Sequence, residues 1–455
     1  MTEYQNTNRA LEMATGEFIA LMDHDDVITP DALYHLVKAV NEDAMADSVY
    51  SDEDKMDMDG RKLFEPHFKP DFNIDYLRSC NYICHMFMTR TSIAREVGGF
   101  RKPFDGAQDF DFIFRCTEKS RHVAHVPRVI YHWRCHVNST AAVPESKMYA
   151  YHAGVKSINE HCQRAGIPMT GELGTSYGYY RDVPVLDRKP SVDIIIHGDA
   201  AKAEQCIQCT KKLTYSNLSV MMCGGDAASV NRAVASAAAD YVLLLDSRIT
   251  SLSEDLVEQL MGYVQRKDVA MAAARTSNLE DKIYHAFLVM GIDKSFGYAF
   301  HQLDKGNNGY FMRINAPQDV SGVDITCTLI RRADYMAAGQ LDESMPTEYA
   351  AADLCLKVAQ LNDEGSRDSQ ADEGEDAKTP QMWRDMHKIV YVPYAEAVIN
   401  ASVEPEWHID EEDEKFNKKW SSVLRQTDRY YNRNLTKRDT NFTILSSMEL
   451  KNEDL

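Results

Sequence analysis

The sequence predicts an α/β protein in which one domain type is repeated in tandem, and three observations carry this. A short apolar run at residues 18–22 stops abruptly at Asp23, His24, Asp25 and Asp26 and is followed by a helix start, so a buried strand delivers carboxylates to its C-terminal end. Four sequence blocks of the first half recur in the same order in the second half. The chain has 455 residues, enough for two or more domains with large cores.

The acidic stretch organises the first domain, expected over residues 1–148. Thr29 reads as an N-cap, Pro30 as the first helical residue and Asp31 as an acid in the first turn. Ligands of open α/β sheets gather at the carboxyl ends of strands. Side chains at i and i+2 of an extended chain point the same way, so Asp23 and Asp25 are expected to face one ligand. Mg²⁺ or Mn²⁺ is held by one or two carboxylates and shares its other positions with water and phosphates, which makes a metal-diphosphate site the expectation. A merely solvated acidic loop is the competing reading, weakened by the strand before it and the capped helix after it.

Further along, Tyr50 to Lys55 is again acidic after an expected strand end, and a solvated hairpin would also explain it. An EF-hand aligned on Gly60 fails, because its first ligand position is Lys55 and its twelfth is Pro66. Gln108-Asp109-Phe110-Asp111 opens an amphipathic helix, which puts Asp109 where a carboxylate is electrostatically favoured; capping alone accounts for an acid there. His132, Arg134 and His136 follow another strand, and a lone histidine in such a place is most often structural. Asn138-Ser139-Thr140 is a glycosylation sequon.

Residues 149–190 read as a connecting helix and linker, and residues 191–445 as the second domain. That domain opens with a strand at 192–196, a helix at 200–213 and a strand at 218–222. Asn8-Arg9-Ala10 then recurs as Asn231-Arg232-Ala233, with the same spacing to Asp23 and Asp246. RTSIAREVGGF from Arg90 is echoed by RRADYMAAGQL from Arg331, DFDFIFR from Asp109 by AADLCLK from Ala351, and His125-Val126-Pro127 by Tyr391-Val392-Pro393. Asp25 corresponds to Arg248 and Asp109 to Ala351, while His132 falls opposite Val398 or its neighbour. The second copy is therefore expected to be degenerate and to bind no metal. The first copy has seven residues ahead of Asn8 and is expected to lack the opening β-α-β unit, leaving an exposed sheet edge through which the chain self-associates. Residues 362–381 read as a disordered acidic insertion, and the tail 415–442, with Trp420, Tyr430 and Tyr431, as a packed segment.

Composition narrows the partners. A net charge of −20 argues against nucleic acid and, more weakly, against an anionic membrane surface. No apolar run reaches transmembrane length and the N-terminus has no signal-peptide pattern, so a cytoplasmic location is expected, with peripheral attachment at the inner face of the cell membrane as its variant. The ten cysteines, including Cys206 and Cys209, read as reduced thiols.

GEFIALMDHDDVITPDAL, from Gly16 to Leu33, is similar to the Asp-x-Asp region of the family 2 glycosyltransferases, and the likeness extends loosely over most of the chain. The resemblance implies two tandem GT-A-like domains of the Rossmann-like, nucleotide-diphospho-sugar transferase type. It implies an inverting enzyme that moves a sugar from a nucleotide-sugar donor to a saccharide or lipid-linked saccharide acceptor, here a growing capsule or O-antigen type polysaccharide. Asp109 then matches the general base, Asp23, Asp25 and His132 the metal shell for Mn²⁺ or Mg²⁺, and Asp26, Asp52, Glu53, Asp54, Gln108, Arg134 and His136 the donor and acceptor contacts. The alternative expectation is a catalytically incomplete fragment that serves as a scaffold or partner of a full transferase.

Overall fold

A computed structural model describes residues 3–135, 148–292, 294–368, 387–402 and 408–446. The chain divides into two compact units, the first running to Val183 and the second starting at Pro184.

Unit 1 holds α1 (Glu3–Met13), β1 (Phe18–Leu21), β2 (Val27–Ile28), α2 (Ala32–Glu42), β3 (Ala46–Met56), β4 (Leu63–His67), α3 (Ile74–Ser79), β5 (Phe87–Arg90), α4 (Thr91–Glu96), α5 (Gln108–Lys119), β6 (His122–Arg134), α6 (Met148–Ala165), β7 (Met169–Leu173) and β8 (Tyr180–Pro184), whose last residue opens unit 2. Its sheet runs β1-β5-β3-β6-β2 with β4 on β3; only β3 and β6 are parallel. The core beneath it joins Leu36 of α2 to Val49, Met86, Met88, Val126, Ile130 and Tyr131. Burial of such side chains is worth about 1.5–3 kcal/mol each.

Two local expectations shift. The helix after the acidic loop starts at Ala32 with Asp31 as N-cap, not Thr29, and no side chain caps it, because Asp31 accepts from Thr29 Oγ1 at 2.7 Å instead. Residues 149–183 are not a connector but part of unit 1. His161 of α6 stacks on Phe114 of α5 at 4.4 Å, and Arg164 donates to Glu118 at 2.7 Å. Gly106, at φ +89°, permits this packing: a Cβ there would lie 2.7 Å from the Ala150 side chain.

Unit 2 holds β9 (Val192–His197), α7 (Ala203–Thr210), β10 (Leu218–Cys223), α8 (Ala227–Ser236), β11 (Tyr241–Asp246), β12 (Ile249–Leu252), α9 (Leu256–Val264), β13 (Val269–Asn278), β14 (Ile283–His285), β15 (Leu288–Met290), β16 (Phe296–Tyr298), β17 (Gln318–Val320), β18 (Cys327–Arg331), α10 (Arg332–Ala337), α11 (Thr347–Asp368), β19 (Lys388–Ile399), α12 (Asp410–Lys419) and α13 (Ser421–Leu424). Its main sheet runs β10-β9-β11-β18-β13-β19-β12, with β14 on β13 and β17 on β19. From β11 onward the order and strand directions match β1-β5-β3-β6-β2, and β14 on β13 matches β4 on β3. Strands β9 and β10 pair in parallel beyond β11, which is correspondingly buried, as continuous apolar strands covered on both faces should be. Among the described residues β1 pairs with β5 alone, and its side chains are intermediate or exposed.

Helix α11 continues to Asp368, so the first seven residues of the expected disordered insertion extend a helix; residues 369–381 lie outside the described residues. In the tail Trp420 donates to Asp353 at 2.9 Å, and Tyr430, Tyr431 and Phe442 are buried.

Candidate functional site

Strand β1 delivers Asp23, and the turn after it folds Asp26 inward. Asp26 is buried, accepting from the Tyr131 hydroxyl and from Arg134 N at 2.7 Å, while Asp23 N donates to the same hydroxyl at 3.2 Å. Tyr131 therefore fixes the loop from below. His85, two residues ahead of β5, stacks on the Tyr131 ring at 4.8 Å. The three residues Asp23, Asp26 and His85 each offer a ligand atom, all within 4.8 Å of one another. His85 Nδ1 is buried with no hydrogen-bond partner among the described residues.

These donors suit a cation. Two carboxylates and an imidazole are ligands for Mn²⁺, and ligand atoms about 2.1–2.2 Å from an ion stand at most about 4.4 Å apart, a small rotamer adjustment from the observed spread. The Asp23 carboxyl titrates above its ordinary range. Packing that withholds hydration is the largest cause, His85 acts against it, and the charges of Asp26, Asp109 and Asp25 add to it. A bound cation would relieve that repulsion.

The same interaction places Asp109, at the start of α5, in the field of Asp23. Asn81 Nδ2 donates to Asp109 Oδ2 at 2.8 Å and Cys84 Sγ donates to the same oxygen at 3.9 Å, so the carboxylate is aimed by the segment between α3 and β5. Beside it, Gln108 Oε1 is buried and has no hydrogen-bond partner among the described residues. Asp111 points the other way, into Arg101 and Arg115, and is buried and structural.

The acidic run of β3 lies beneath this cluster. Asp52 is fully buried, accepts from Lys69 N at 2.9 Å and meets His125 Nε2 at 2.9 Å. Glu53 accepts from Lys69 Nζ at 3.1 Å and from His85 N at 3.2 Å. Burial opposes the Glu53 charge, but Lys69, His67 and His85 prevail and hold its pKa at about 2. Asp54 lies 2.5 Å from His132 Nδ1. Burial keeps the Asp54 pKa above its usual value, with His132 pulling it down.

The expected residues thus fall into groups. Asp23, Asp26 and Asp109 converge with Gln108 at one strand-end cluster. Asp25 and His132 do not share the triad: Asp25 Oδ1 is 3.9 Å from the His24 ring, and His132 is held by Asp54. Arg134 donates to the backbone of Asp25 and Met58 and so clamps the loop. Asp52, Glu53 and Asp54 are engaged inside the unit. His136 lies outside the described residues. Sequence reasoning offered Asn81 and His85 only through resemblance and gave no role to Cys84, Tyr131 and Lys69. Asn81, Cys84 and His85 lie just ahead of the apolar strand β5, whereas nothing local marks Lys69 or Tyr131.

At one strand end of the mixed sheet of unit 1, acids and an imidazole gather. Residues 4–98 match the model of glycosyl transferase family 2. The family match spans β1, the acidic loop and His85. It is 32% identical over 396 residues to an uncharacterized protein, y4gI, of Sinorhizobium fredii, covering 78% of this chain and 43% of that one. It is 24% identical over 394 residues to the O-antigen biosynthesis protein RfbC of Myxococcus xanthus, covering 79% and 30%. Chondroitin synthase of Escherichia coli is 25% identical over 162 residues, 35% of this chain and 23% of that one. The chain spans less than half the length of these relatives. Among the described residues no helix is long and apolar enough to cross a membrane.

Proposed function

We propose that unit 1 is the catalytic domain of an inverting, metal-assisted glycosyltransferase that moves a sugar from a nucleoside-diphosphate donor to a growing cell-surface polysaccharide of the capsule or O-antigen type. The observation that carries this is the Asp23, Asp26 and His85 triad with Asp109 in its field. A divalent cation bound there, Mn²⁺ or Mg²⁺, would neutralise charge that develops on the departing diphosphate.

The remaining work falls to the chain. Tyr131 and Arg134 hold Asp26, and Lys69 with Glu53 holds the backbone of His85, so two of the ligands are set before a donor arrives. Asp109 takes the proton from the attacking acceptor hydroxyl, with Asn81 orienting the carboxylate so that its free oxygen faces the acceptor. Asp25, on the loop rim, and Gln108, beside the base, contact the donor and acceptor. In this reading His132 supports Asp54 rather than ligating.

The equal strand order of the two sheets supports a tandem of GT-A-like domains, and so do matched contacts. Asn8 exchanges hydrogen bonds with the backbone of Phe100 as Asn231 does with Leu341. Arg248 stands in the second unit where Asp25 stands in the first.

The reading is tested by Mn²⁺ titration and by turnover with UDP-, GDP- and dTDP-sugars, using this chain. One Mn²⁺ site is expected, lost in Asp26→Ala. Asp109→Asn should lower turnover by about 10²–10⁴-fold and leave donor affinity unchanged. Two Mn²⁺ sites, or equal loss of donor affinity in both variants, would overturn the assignment.

A further inference from the structure

A cavity of about 200 Å³ opens in unit 2 at the carboxyl end of β11, the strand whose place in the sheet corresponds to β1. Its floor is an ion pair: Arg248 Nε and Nη2 donate to Asp246 at 3.0 and 2.7 Å, and Arg248 N donates to Asp246 at 2.8 Å. A divalent cation at Asp246 would sit against a guanidinium, so this strand end does not offer a metal-diphosphate site.

The walls have another character. Tyr284, His285, Tyr298 and His301 form a run of rings, with centroids 4.3 Å apart between Tyr284 and His285, 4.2 Å between His285 and Tyr298, and 5.9 Å between Tyr298 and His301. Asp324 accepts from the Tyr298 hydroxyl at 3.2 Å, and Glu348 stands exposed at the rim. His285 Nδ1 is buried with no hydrogen-bond partner among the described residues. Burial keeps His285 neutral, with its pKa pulled down to about 4 against the attraction of Asp324.

The charge balance selects among ligands. Asp246 and Asp324 outnumber Arg248 even before Glu348 is counted, so a nucleoside diphosphate without a metal would be repelled. A hydroxylated ring meets no such penalty. Its C–H face lies on aromatic rings, its hydroxyls donate to Asp324 and Glu348, and they accept from Arg248 and from a neutral imidazole N–H.

We infer that unit 2 binds a neutral saccharide in this cavity without metal or nucleotide, and so holds a sugar chain rather than a donor. The inference stands on unit 2 alone and does not depend on catalysis in unit 1.

The test uses the full chain in EDTA, with cellobiose, lactose, chitobiose and methyl α-rhamnoside as probes, read by saturation-transfer NMR and calorimetry. At least one saccharide should bind, unchanged by EDTA. Affinity should fall at least about 10-fold in Glu348→Gln and in Tyr284→Ala, the former lying at an exposed position that the fold does not need. Asp26→Ala should leave it unchanged. Four outcomes overturn the inference: no saccharide of the panel binds, binding requires Mn²⁺, UDP or choline binds in place of the sugars, or binding is lost in Asp26→Ala and kept in Glu348→Gln. Failure of the unit 1 reading shows instead in turnover and Mn²⁺ titration.

Discussion

Lys69 is a fully buried lysine whose ammonium donates to Glu53, to the Ile83 carbonyl at 2.8 Å and to the His85 carbonyl at 2.5 Å. It ties β3 to the loop that carries His85, so a site ligand depends on a residue sixteen positions away in sequence. Lys69→Met would leave the buried Glu53 charge without its lysine, and removing one partner of a buried pair costs about 3–5 kcal/mol. Chemical denaturation should report that loss, and the Lys69→Met, Glu53→Gln double variant should recover part of it. His125 gives a pH signature. Burial disfavours its charge, yet Asp52 and Asp71 raise its pKa to about 9, above the unfolded value. Its contribution is therefore complete below about pH 6.5 and is lost as pH rises through about 9. A pH series of denaturation midpoints should fall over that window, and His125→Gln should flatten the slope.

At the scale of elements, the difference between β1 and β11 is the most consequential. Both carry an apolar run ending in aspartate, but β11 is flanked by β9 and β18, whereas β1 pairs with β5 only among the described residues. A half-covered edge strand templates pairing with another chain. We expect concentration-dependent self-association of this chain in sedimentation velocity, reduced by Ala20→Lys, which places charge on an exposed position of that edge. Unchanged association in the variant would assign it to another surface. Helix α5 shows the opposite economy: Asp111 is clamped by Arg101 and Arg115, and Arg115 also donates to the Val97 and Gly99 carbonyls at 2.6 and 2.7 Å. In unit 2, Lys357 pairs with Asp353 at 2.9 Å and donates to the Gln340 carbonyl at 2.6 Å. The clamp orients α5, whose first turn carries Asp109, and α11, whose second turn carries Ala351-Ala352.

Across the whole molecule, two units share one strand order and differ in what their strand ends offer. Unit 1 gathers Asp23, Asp26 and His85, while unit 2 has an internally neutralised Asp246 and Arg248 beneath a ring-lined cavity. Paramagnetic broadening by Mn²⁺ should therefore be confined to unit 1 resonances. Arg248→Ala should leave that broadening unchanged, since the guanidinium belongs to the other strand end. Broadening that spreads to His197 or His285 would show a second cation site.

The sequence by itself determined the α/β fold class, the strand that runs toward Asp23, the helix whose first turn holds Asp109 and the recurrence of four blocks. These are local signals: an apolar run of strand length, a helical period, and residues such as Asn8 and Asn231 whose side chains repeat the same backbone contacts. The partners within the site were decided only by the tertiary structure. Whether Asp25 or Asp26 turns inward depends on a hydroxyl from Tyr131, more than a hundred residues away, and the spacing of i and i+2 applies only while the chain stays extended, which it does not past β1. His85 joins the triad because β5 pairs beside β1, and Asp52, Glu53 and Asp54 are withdrawn from it because Lys69, His125 and His132 reach them first. Such pairings span long sequence separations, where no local periodicity records them.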